Sequence, residues 1–562
     1  MPSSIQTWAL PIAVIAIANI AGTWYKLVSD NVPDPYLDEI FHVPQAQRYC
    51  NRDWRWDPKI TTPPGLYVVS LLLSPIFGDC DTSPLRALNT GAICVVCVLA
   101  YDIMQTLRFR NLPNEVGAKQ TVVPQKPAVD DQGILFDAHS ALNISLFPPL
   151  FFFSGLYYTD VMSTLFVLVS YSTFLKRGKE RPSIWQDATF ILIGMMALSF
   201  RQTNIFWVAV FPAGLAVVEM LKQEAAQSAN AASSDMLGIL NQSWVDGKVH
   251  DCDIGSSSLR DCILFLLSIA LAILSKPVLI LRVSIPYIML LSIFACFVAW
   301  NGGVVLGDKS NHIATIHFPQ MLYIWPYLVF FSLPVTIAPF LRLIAYRLPE
   351  GRIKKFATEN LIGLSTNLTP GLLSTILFLV LGVAATHFNT IVHPFTLADN
   401  RHYVFYVFRI LRRHPAIKYL AVPAYYSCSW MAIQALASPS ENIVEDRPSR
   451  GSGAPTINKV GRKPCQLSFV MVWLVTTALS VVSAPLVEPR YFIIPWIIWR
   501  LHVPSILASP SLTQPARKWL LDIRLLLETA WLLFINGLTG YTFLYRGFYW
   551  ASEPGKLQRF LY

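Results

Sequence analysis

Long apolar runs recur along the whole chain, and they restrict what it can fold into more than any motif does. Runs such as 5–28, 84–107 and 204–221 match the roughly 18 to 25 residues that a helix needs to cross a hydrocarbon core about 30 Å thick. Only 14% of the 562 residues are charged, whereas a soluble globular protein carries roughly 25%. The sequence therefore predicts an all-α polytopic membrane protein, a single membrane domain over 1–562 with about 13 to 14 transmembrane helices.

The basic residues give this chain an orientation. The formal net charge is +10, and Lys and Arg gather in short loops between apolar runs, as they do on the cytoplasmic side of membrane proteins. No basic-aromatic module is visible, so no nucleic acid partner is predicted. The predicted cytoplasmic loops are 108–126, 176–181, 347–355 and 447–463, and the predicted lumenal loops are 33–65, 307–320, 393–402 and 488–490.

Two hydrophilic segments interrupt the pattern, and one apolar stretch is ambiguous. Segment 222–260 lacks an apolar period and predicts a flexible cytoplasmic linker, and the Ser/Pro/Gly-rich segment 438–465 predicts a flexible cytoplasmic loop. The stretch 261–306 has room for two spans, or for one span and an interfacial half-helix. The basic loop 347–355 favours the second alternative, which puts 307–320 in the lumen.

The nine cysteines show no zinc-site spacing with histidine. Cys94 and Cys97 form a C-x-x-C inside an apolar run, where small core residues are the better interpretation. Cys50 and Cys80 would share one compartment under the predicted topology, so a disulfide between them is possible. No metal site is predicted.

The first predicted lumenal loop, 29–83, crowds acidic, basic, aromatic and amide side chains together. Its adjacent acids Asp38 and Glu39 are candidate general bases toward a hydroxyl. Arg, Lys and His side chains in the other lumenal loops can neutralise a phosphate. This inventory suits transfer from a phosphate-activated donor to a hydroxyl, and a lipid phosphate is the donor most easily presented at a membrane.

Each of these residues also has an ordinary structural interpretation. Asp38 and Glu39 could be solvated interfacial acids, and Arg401 could be an anchor that reaches toward the membrane surface. His42 could be only a hydrogen-bond partner of Asp38, one helical turn away. The density of polar loops on one face of a charge-poor chain favours the functional interpretation.

Two other functional classes share the many spans. A lipid or sugar transporter is expected to place ionisable residues at mid-membrane depth, often with inverted repeats. A structural subunit of a membrane complex would not explain the acid pair in loop 29–83. Polar residues at loop ends on one face favour an enzyme that works at the membrane surface.

Five segments carry a resemblance to a known family, in that family's order. They read YLDEIFHVPQAQRYC, SLFPPLFFFSGLYYTDV, VLGDKSNHIATIHFPQ, HPFTLADNRHYVFYVFR and LVEPRYFIIPW. The chain resembles the dolichyl-phosphate-glucose-dependent α-1,2-glucosyltransferases of N-glycan assembly. The resemblance implies the C-type membrane glycosyltransferase fold (GT-C) with a catalytic first lumenal loop. It also implies a multi-pass protein of the endoplasmic reticulum membrane whose active site faces the lumen.

The resemblance also implies a reaction and its partners. The third, terminal glucose would pass from dolichyl-phosphate glucose to the dolichyl-diphosphate-linked oligosaccharide, with inversion to an α-1,2 linkage. No cofactor or metal is expected, and membrane lipid is the other partner. Another dolichyl-phosphate-sugar-dependent glucosyl- or mannosyltransferase of the same fold is the alternative, because residue chemistry alone does not separate glucose from mannose.

Site residues follow from the same resemblance and from charge. Asp38 is the predicted base, with Glu39 in reserve. The predicted donor phosphate-binding residues are Arg401, His402, His393, Arg490, Lys309 and His312. Support of the acceptor and of the loop is predicted for His42, Gln45, Asp57 and Lys59.

Overall fold

The computed structural model describes residues 4–110, 131–177, 183–226, 235–309, 315–345, 370–437, 465–484, 486–505 and 522–562, with positions 347, 349, 351 and 354. Helices dominate this part of the chain. They are α1 (Ser4–Asn31), α2 (Glu39–Cys50), α3 (Gly65–Phe77), α4 (Thr82–Arg110), α5 (Asp131–Ser145), α6 (Pro148–Phe153), α7 (Thr159–Lys176), α8 (Ile184–Leu198), α9 (Phe211–Ala226), α10 (Met236–Val245), α11 (Leu259–Ser275), α12 (Pro277–Asn301), α13 (Gln320–Phe331), α14 (Leu333–Thr336), α15 (Ala338–Ala345), α16 (Leu372–Phe388), α17 (Pro394–Ala398), α18 (Tyr403–Leu411), α19 (Ile417–Leu436), α20 (Leu467–Val481), α21 (Ile493–His502) and α22 (Ile523–Tyr545).

Shorter elements complete the described segments. Residues Gln202–Asn204, Ile254–Ser256 and Pro489–Phe492 form 3₁₀ turns, and Phe206–Val210 forms a π-helical stretch before α9. The strands β1 (Phe548–Tyr549) and β2 (Leu557–Gln558) pair antiparallel.

Several of these helices are long and apolar enough to cross a membrane. Five helical stretches are both long enough and apolar enough for this: Thr7–Asn31, Thr82–Arg110, Gln202–Ala226, Pro277–Asn301 and Ile523–Tyr545. Shorter apolar helices lie at Gly65–Ile76, Ile184–Leu198, Gln320–Phe331, Leu372–Phe388 and Leu467–Val481. The prediction of an all-α, multi-pass membrane protein is confirmed, and the number of spans stays a prediction.

Trp24 of α1 links three helices near the functional face. Its indole Nε1 donates to the carbonyl oxygen of Phe152 at 2.9 Å, and its ring packs against Phe543 of α22 at 6.1 Å. A Cβ at Gly155 would lie 2.6 Å from that Nε1, so only glycine lets the chain after α6 approach this closely. The contact fixes α1, α6 and α22 beside the loop that follows α1.

The loop after α12 lies against the first loop, 29–83. The amide of Leu306 donates to the carbonyl oxygen of Thr61 at 3.1 Å. The amide of Asp308 donates to the carbonyl oxygen of Pro58 at 2.8 Å. Gly307 has φ +62, and a Cβ there would lie 2.2 Å from the Pro58 oxygen. This packing agrees with the alternative that places 307–320 on the face of loop 33–65.

The last described segment returns to the same face. The amide of Leu561 donates to the carbonyl oxygen of Arg401 at 2.9 Å. The Tyr36 hydroxyl accepts from the amide of Arg559 at 2.7 Å. The β1–β2 hairpin segment, 546–562, therefore braces both loop 29–83 and loop 393–402.

The described parts of segment 222–260, residues 222–226 and 235–260, differ from the prediction of a flexible linker, and residues 227–234 lie outside the described part. Met236–Val245 is helical, and the following residues are tied to the start of α20. The amide of Leu467 donates to the carbonyl oxygen of Cys252 at 2.8 Å, and the amide of Ser468 donates to Oδ1 of Asp251 at 2.9 Å. The helix contacts α11 through its later residues, because the Ser243 carbonyl oxygen accepts from the hydroxyl of Ser275 at 3.4 Å. Residues 438–464 lie outside the described part.

Cys50 and Cys80 form a disulfide with a Cα–Cα distance of 6.5 Å. It joins the end of α2 to the segment before α4. The sequence allowed this disulfide but could not establish it, because a sequence gives no distance between the two cysteines. The bridge closes loop 29–83 around α3, which restricts the loop that carries Asp38.

Candidate functional site

Arg490 is the centre of a cluster of charged side chains on the face of loop 29–83. Its Nη1 donates to Oδ2 of Asp38 at 2.9 Å, and its Nη2 lies 2.9 Å from Oε2 of Glu488. Oδ2 of Asp160 lies 3.9 Å from Nη1. One guanidinium therefore faces three carboxylates, contributed by loop 29–83, the start of α7 and the loop before α21. We call Arg490 and these acids, with Arg201, the acid–guanidinium cluster.

Arg201 supplies the second cation of this cluster. Its Nη2 lies 3.0 Å from Oδ1 of Asp160, whose side chain is only 1% exposed. The positive charge of Arg201 offsets the cost of burying that carboxylate. The cluster thus holds three carboxylates and two guanidiniums. Sequence analysis assigned none of Asp160, Arg201 and Glu488 to the site, because the partners of these residues lie far away in the chain.

Local backbone structure positions the two central residues. Asp38 immediately precedes α2, and its amide donates to the Tyr158 hydroxyl at 3.2 Å. Arg490 lies in the 3₁₀ turn Pro489–Phe492. Its guanidinium carbon lies 5.7 Å from the ring centroid of Phe153 and 5.8 Å from that of Tyr158. Aromatic faces stabilise a cation held away from bulk water.

Asp38 is ionised and reachable. Its side chain is 41% exposed, so a substrate hydroxyl can approach it. Desolvation raises the pKa of Asp38, but the charge and the hydrogen bond of the adjacent Arg490 guanidinium outweigh it and hold the pKa below its usual range. Asp38 is therefore a carboxylate at neutral pH and can accept a proton.

Glu39 points away from the cluster. Its carboxylate is fully buried and accepts from Nε and Nη2 of Arg86 at 2.9 and 2.6 Å. It also accepts from the amides of Tyr157 at 2.6 Å and Tyr36 at 3.1 Å. These four hydrogen bonds engage both carboxylate oxygens. Glu39 therefore fixes the start of α2, and the structure does not bring it to Arg490 beside Asp38.

His42 lies behind Asp38. Its Nδ1 is 2.6 Å from the Tyr67 hydroxyl. Burial lowers the pKa of His42, and the negative charge of Asp38 only partly opposes this effect. A neutral imidazole at neutral pH adds no charge to the cluster. Its position one turn after Asp38 is the one that sequence predicted.

Gln45, Asp57 and Lys59 shape the remainder of the loop. Nε2 of Gln45 donates to the carbonyl oxygen of Arg55 at 2.9 Å, and its Oε1 accepts from the amide of Asp57 at 3.0 Å. Oδ1 of Asp57 accepts from the amide of Lys59 at 2.9 Å. The structure therefore places these three residues where they can support the loop.

Arg401 is engaged by its neighbours. Its Nε and Nη2 donate to the two carboxylate oxygens of Asp399 at 2.9 and 2.6 Å, and its Nη1 donates to Oε1 of Gln558 at 3.0 Å. The guanidinium carbon lies 4.6 Å from the Trp550 ring centroid. This side chain joins loop 393–402 to the hairpin segment 546–562.

The other predicted phosphate-binding residues differ in what they contact. His402 is 30% exposed, its Nε2 lies 3.7 Å from Oδ2 of Asp399, and its Nδ1 lies 2.9 Å from the carbonyl oxygen of Tyr562. His393 caps its own short helix, because its Nδ1 accepts from the amide of Phe395 at 3.3 Å. Nζ of Lys309 donates to the carbonyl oxygen of Asn301. His312 lies outside the described residues. Among the predicted cations that the structure describes, Arg490 is the one that donates a hydrogen bond to Asp38.

The fold and the cluster define a class: a multi-pass membrane protein with a reachable carboxylate and two guanidiniums at one end of its helices. Comparison with known sequences narrows this class. The chain belongs to the DIE2/ALG10 family, whose sequence pattern matches residues 32–501. The family resemblance seen in the sequence is confirmed.

Relatives match over nearly the full length. The chain is 38% identical to a protein of Aspergillus fumigatus, covering 99% of this chain and 98% of the relative. It is 39% identical to a protein of Emericella nidulans with the same coverage. It is 33% identical to a protein of Rattus norvegicus, covering 96% of this chain and 95% of the relative. All three are named Dol-P-Glc:Glc(2)Man(9)GlcNAc(2)-PP-Dol alpha-1,2-glucosyltransferase.

Solved structures give a weaker comparison. Two crystal structures of the Archaeoglobus fulgidus oligosaccharyltransferase, one apo and one tethered to an acceptor peptide, match with TM-scores of 0.23 and 0.24 and identities of 12% and 11%. They cover 89% and 94% of this chain, and 57% and 64% of the solved chains. The C-type glycosyltransferase fold therefore rests on family membership and not on these superpositions.

Proposed function

We propose that this protein transfers glucose from dolichyl-phosphate glucose to the terminal glucose of the diglucosylated dolichyl-diphosphate oligosaccharide. The product is an α-1,2 linkage formed with inversion. The names of full-length relatives support the substrates. The observation that carries the proposal is the reachable Asp38 carboxylate held 2.9 Å from Arg490.

The direct test is transfer by the purified protein. Synthetic dolichyl-phosphate glucose and a diglucosylated lipid-linked acceptor should give a product heavier by one hexose. Dolichyl-phosphate mannose in place of the glucose donor should give none. Transfer of mannose instead of glucose would select the alternative hexosyltransferase of the same fold.

The proposed reaction is one in-line displacement, because a single displacement inverts the anomeric carbon. Asp38 accepts the proton of the acceptor hydroxyl, and the resulting oxygen forms the new bond to that carbon. The bond from the carbon to the phosphate oxygen breaks, and the electron pair leaves with dolichyl phosphate. That leaving group is stable as an anion, so no general acid is required.

Arg490 is proposed to serve both the base and the leaving group. A phosphate oxygen that enters the cluster competes with Asp38 for the guanidinium, which prefers planar recognition of such anions. Loss of the Arg490 contact lets the pKa of Asp38 rise toward its ordinary value, which makes it a stronger base. Donor binding would thus strengthen the base at the moment it is needed.

Arg401 is proposed to position His402 instead of contacting phosphate. We expect Arg401→Ala and Asp399→Asn each to raise the donor KM by about tenfold, which corresponds to the loss of roughly one charge-assisted hydrogen bond. Steady-state kinetics with varied donor measures this. If Arg401 contacted the phosphate directly, Asp399→Asn would free its guanidinium and leave the donor KM unchanged or lower.

A metal is proposed to take no part in the transfer, because a guanidinium already lies among the three carboxylates that could otherwise bind a cation. We expect the initial rate to be unchanged after EDTA treatment, and unchanged by added Mg²⁺ or Mn²⁺. The assay of glucose transfer measures both. A rate that falls with EDTA and returns with one divalent cation would assign part of the phosphate chemistry to that metal.

The site is proposed to face the lumen of the endoplasmic reticulum. The Cys50–Cys80 disulfide supports this side, because disulfides persist in oxidising compartments. Loops 302–309 and 546–562 lie on the same face, and the start of α20 lies on the other. The multi-pass membrane character is independent of this proposal.

Glycosylation tests this topology. The sequon at Asn241 lies on α10 and should carry no glycan, since the proposed cytoplasmic side never meets the glycosylation machinery. As a matched variant, Asp53→Thr completes a sequon at the exposed Asn51 of the first loop, and it should be glycosylated. Electrophoretic mobility with and without endoglycosidase measures both. A glycan at Asn241, or none at Asn51 in a folded variant, would reverse the orientation.

A further inference from the structure

We propose a zinc site on the face opposite the acid–guanidinium cluster, formed by His250, Cys252 and Asp261. One ligand atom from each of these residues lies within 4.8 Å of the others. They offer imidazole nitrogen, thiolate sulfur and carboxylate oxygen, which are the three donor types that zinc binds in proteins. This site is separate from the proposed transfer reaction and does not rest on it.

The spacing of the donor atoms fits a metal. Nε2 of His250 lies 3.0 Å from Oδ1 of Asp261. Two ligands about 2.1 Å from a tetrahedral zinc ion are about 3.4 Å apart. A zinc ion would therefore need these two atoms to separate by only a few tenths of an ångström. The sulfur of Cys252 completes three protein ligands, and a water can take the fourth position.

The backbone around the site is already ordered, so a metal would not have to fold it. Oδ2 of Asp261 accepts from the amide of Ser258 at 2.9 Å and caps α11. The amide of His250 donates to Oγ of Ser268 at 3.0 Å. The carbonyl oxygen of Cys252 accepts from the amide of Leu467. All three ligands are therefore held on a frame of α11 and the start of α20.

Acidic residues lie close to the site, and an ion can reach it from solution. Asp251 and Asp253 flank Cys252, Lys222 pairs with Asp251, and Lys248 and Arg260 belong to the same segment. The side chains of His250 and Asp261 are 22% and 24% exposed, so an ion from solution can reach them. A divalent ion would replace the hydrogen bond between His250 and Asp261, and it would take the deprotonated sulfur of Cys252 as its third ligand.

The two faces are well separated. Helix α20 has 15 residues, about 22 Å at 1.5 Å per residue. Its start contacts the His250 segment, and its far end precedes the loop with Arg490. Zinc at this site would join residues 250–252 to the first turn of α11, and it would stabilise the opposite face without touching the reacting atoms.

The test uses the purified full chain and Co²⁺ as a spectroscopic probe for zinc. We expect one equivalent of Co²⁺ to give a thiolate-to-cobalt charge-transfer band, which Zn²⁺ then abolishes. The near-isosteric Cys252→Ser should lose the band, and His250→Ala should weaken Co²⁺ binding at least tenfold. Cys296→Ser, a change at an exposed cysteine on α12, should leave the band unchanged.

A thermal measurement completes the test. Zn²⁺ should raise the Tm of the wild-type chain and not that of Cys252→Ser, because a ligand stabilises only the state that binds it. EDTA should reverse the rise while leaving the initial rate of glucose transfer unchanged. Absence of a saturable cobalt band, or a band that survives Cys252→Ser, would overturn the proposal.

Discussion

Asp38→Asn is expected to lower kcat by about 10²- to 10⁴-fold, the usual effect of losing a positioned general base. The change keeps the size of the side chain and a hydrogen bond to Arg490, but an amide cannot accept the proton. The donor and acceptor KM should change little, because both substrates bind through remote contacts and the proton moves only in the transition state. Single-turnover glucose transfer measures the chemical step.

Two matched variants make this result specific to Asp38. Asp53→Asn changes an acid of the same loop that pairs with the exposed Arg55, and it should keep full activity. Glu39→Gln removes the charge of a buried pair with Arg86, a change that costs about 3–5 kcal/mol of unfolding free energy. It should lower Tm strongly while the folded fraction keeps its kcat. An inactive, stable Glu39→Gln beside an active Asp38→Asn would move the base by one residue.

Arg490→Ala is expected to lower kcat/KM by about 10²- to 10³-fold, the effect of removing one donor that stabilises a developing anion. Three carboxylates would lose their common cation, so the variant should also lose thermal stability. Arg490→Lys restores one positive charge but not the planar fork that faces several oxygens at once, and it should recover only part of the rate. Donor-dependent kinetics of both variants measure this.

The pH profile separates a chemical role of Arg490 from a structural one. The guanidinium holds the pKa of Asp38 below its ordinary range, so its removal raises that pKa. The acid limb of kcat/KM, which reports the free enzyme, should therefore move to higher pH in the Arg490 variants. The acid limb of kcat should move less, because bound donor already takes the guanidinium from Asp38. An acid limb of kcat/KM that stays in place would make Arg490 a structural residue.

Local sequence was enough to predict the membrane-length helices, and it singled out Asp38 and Glu39 as the candidate bases. The apolar runs predict membrane-length helices because every backbone polar group must be satisfied inside lipid. Asp38 and Glu39 are adjacent, and successive helical side chains are about 100° apart. Adjacent helical side chains therefore point in different directions, but sequence does not show which of the two meets Arg86 inside the protein.

The remainder of the cluster depends on contacts between distant residues. Asp38 and Arg490 are 452 positions apart, and no periodicity relates them. In the sequence, Asp160 is one polar residue between two apolar runs. Its burial against Arg201, which only the structure shows, identifies it as part of the cluster. Arg401 looked like a free cation because its partners Asp399 and Gln558 could not be matched to it in advance.

The pairing of Asp38 with Arg490 also sets an order of events during synthesis. Asp38 is synthesised directly after the first helix, α1. Arg490 is synthesised only after nearly all the other helices have been made. A partly synthesised chain therefore carries an uncompensated acid and no working site. Under the proposed role of Arg490, chains that stop before residue 490 are expected to be inactive, and glucose transfer is expected to begin only when the late helices have been inserted beside the early ones.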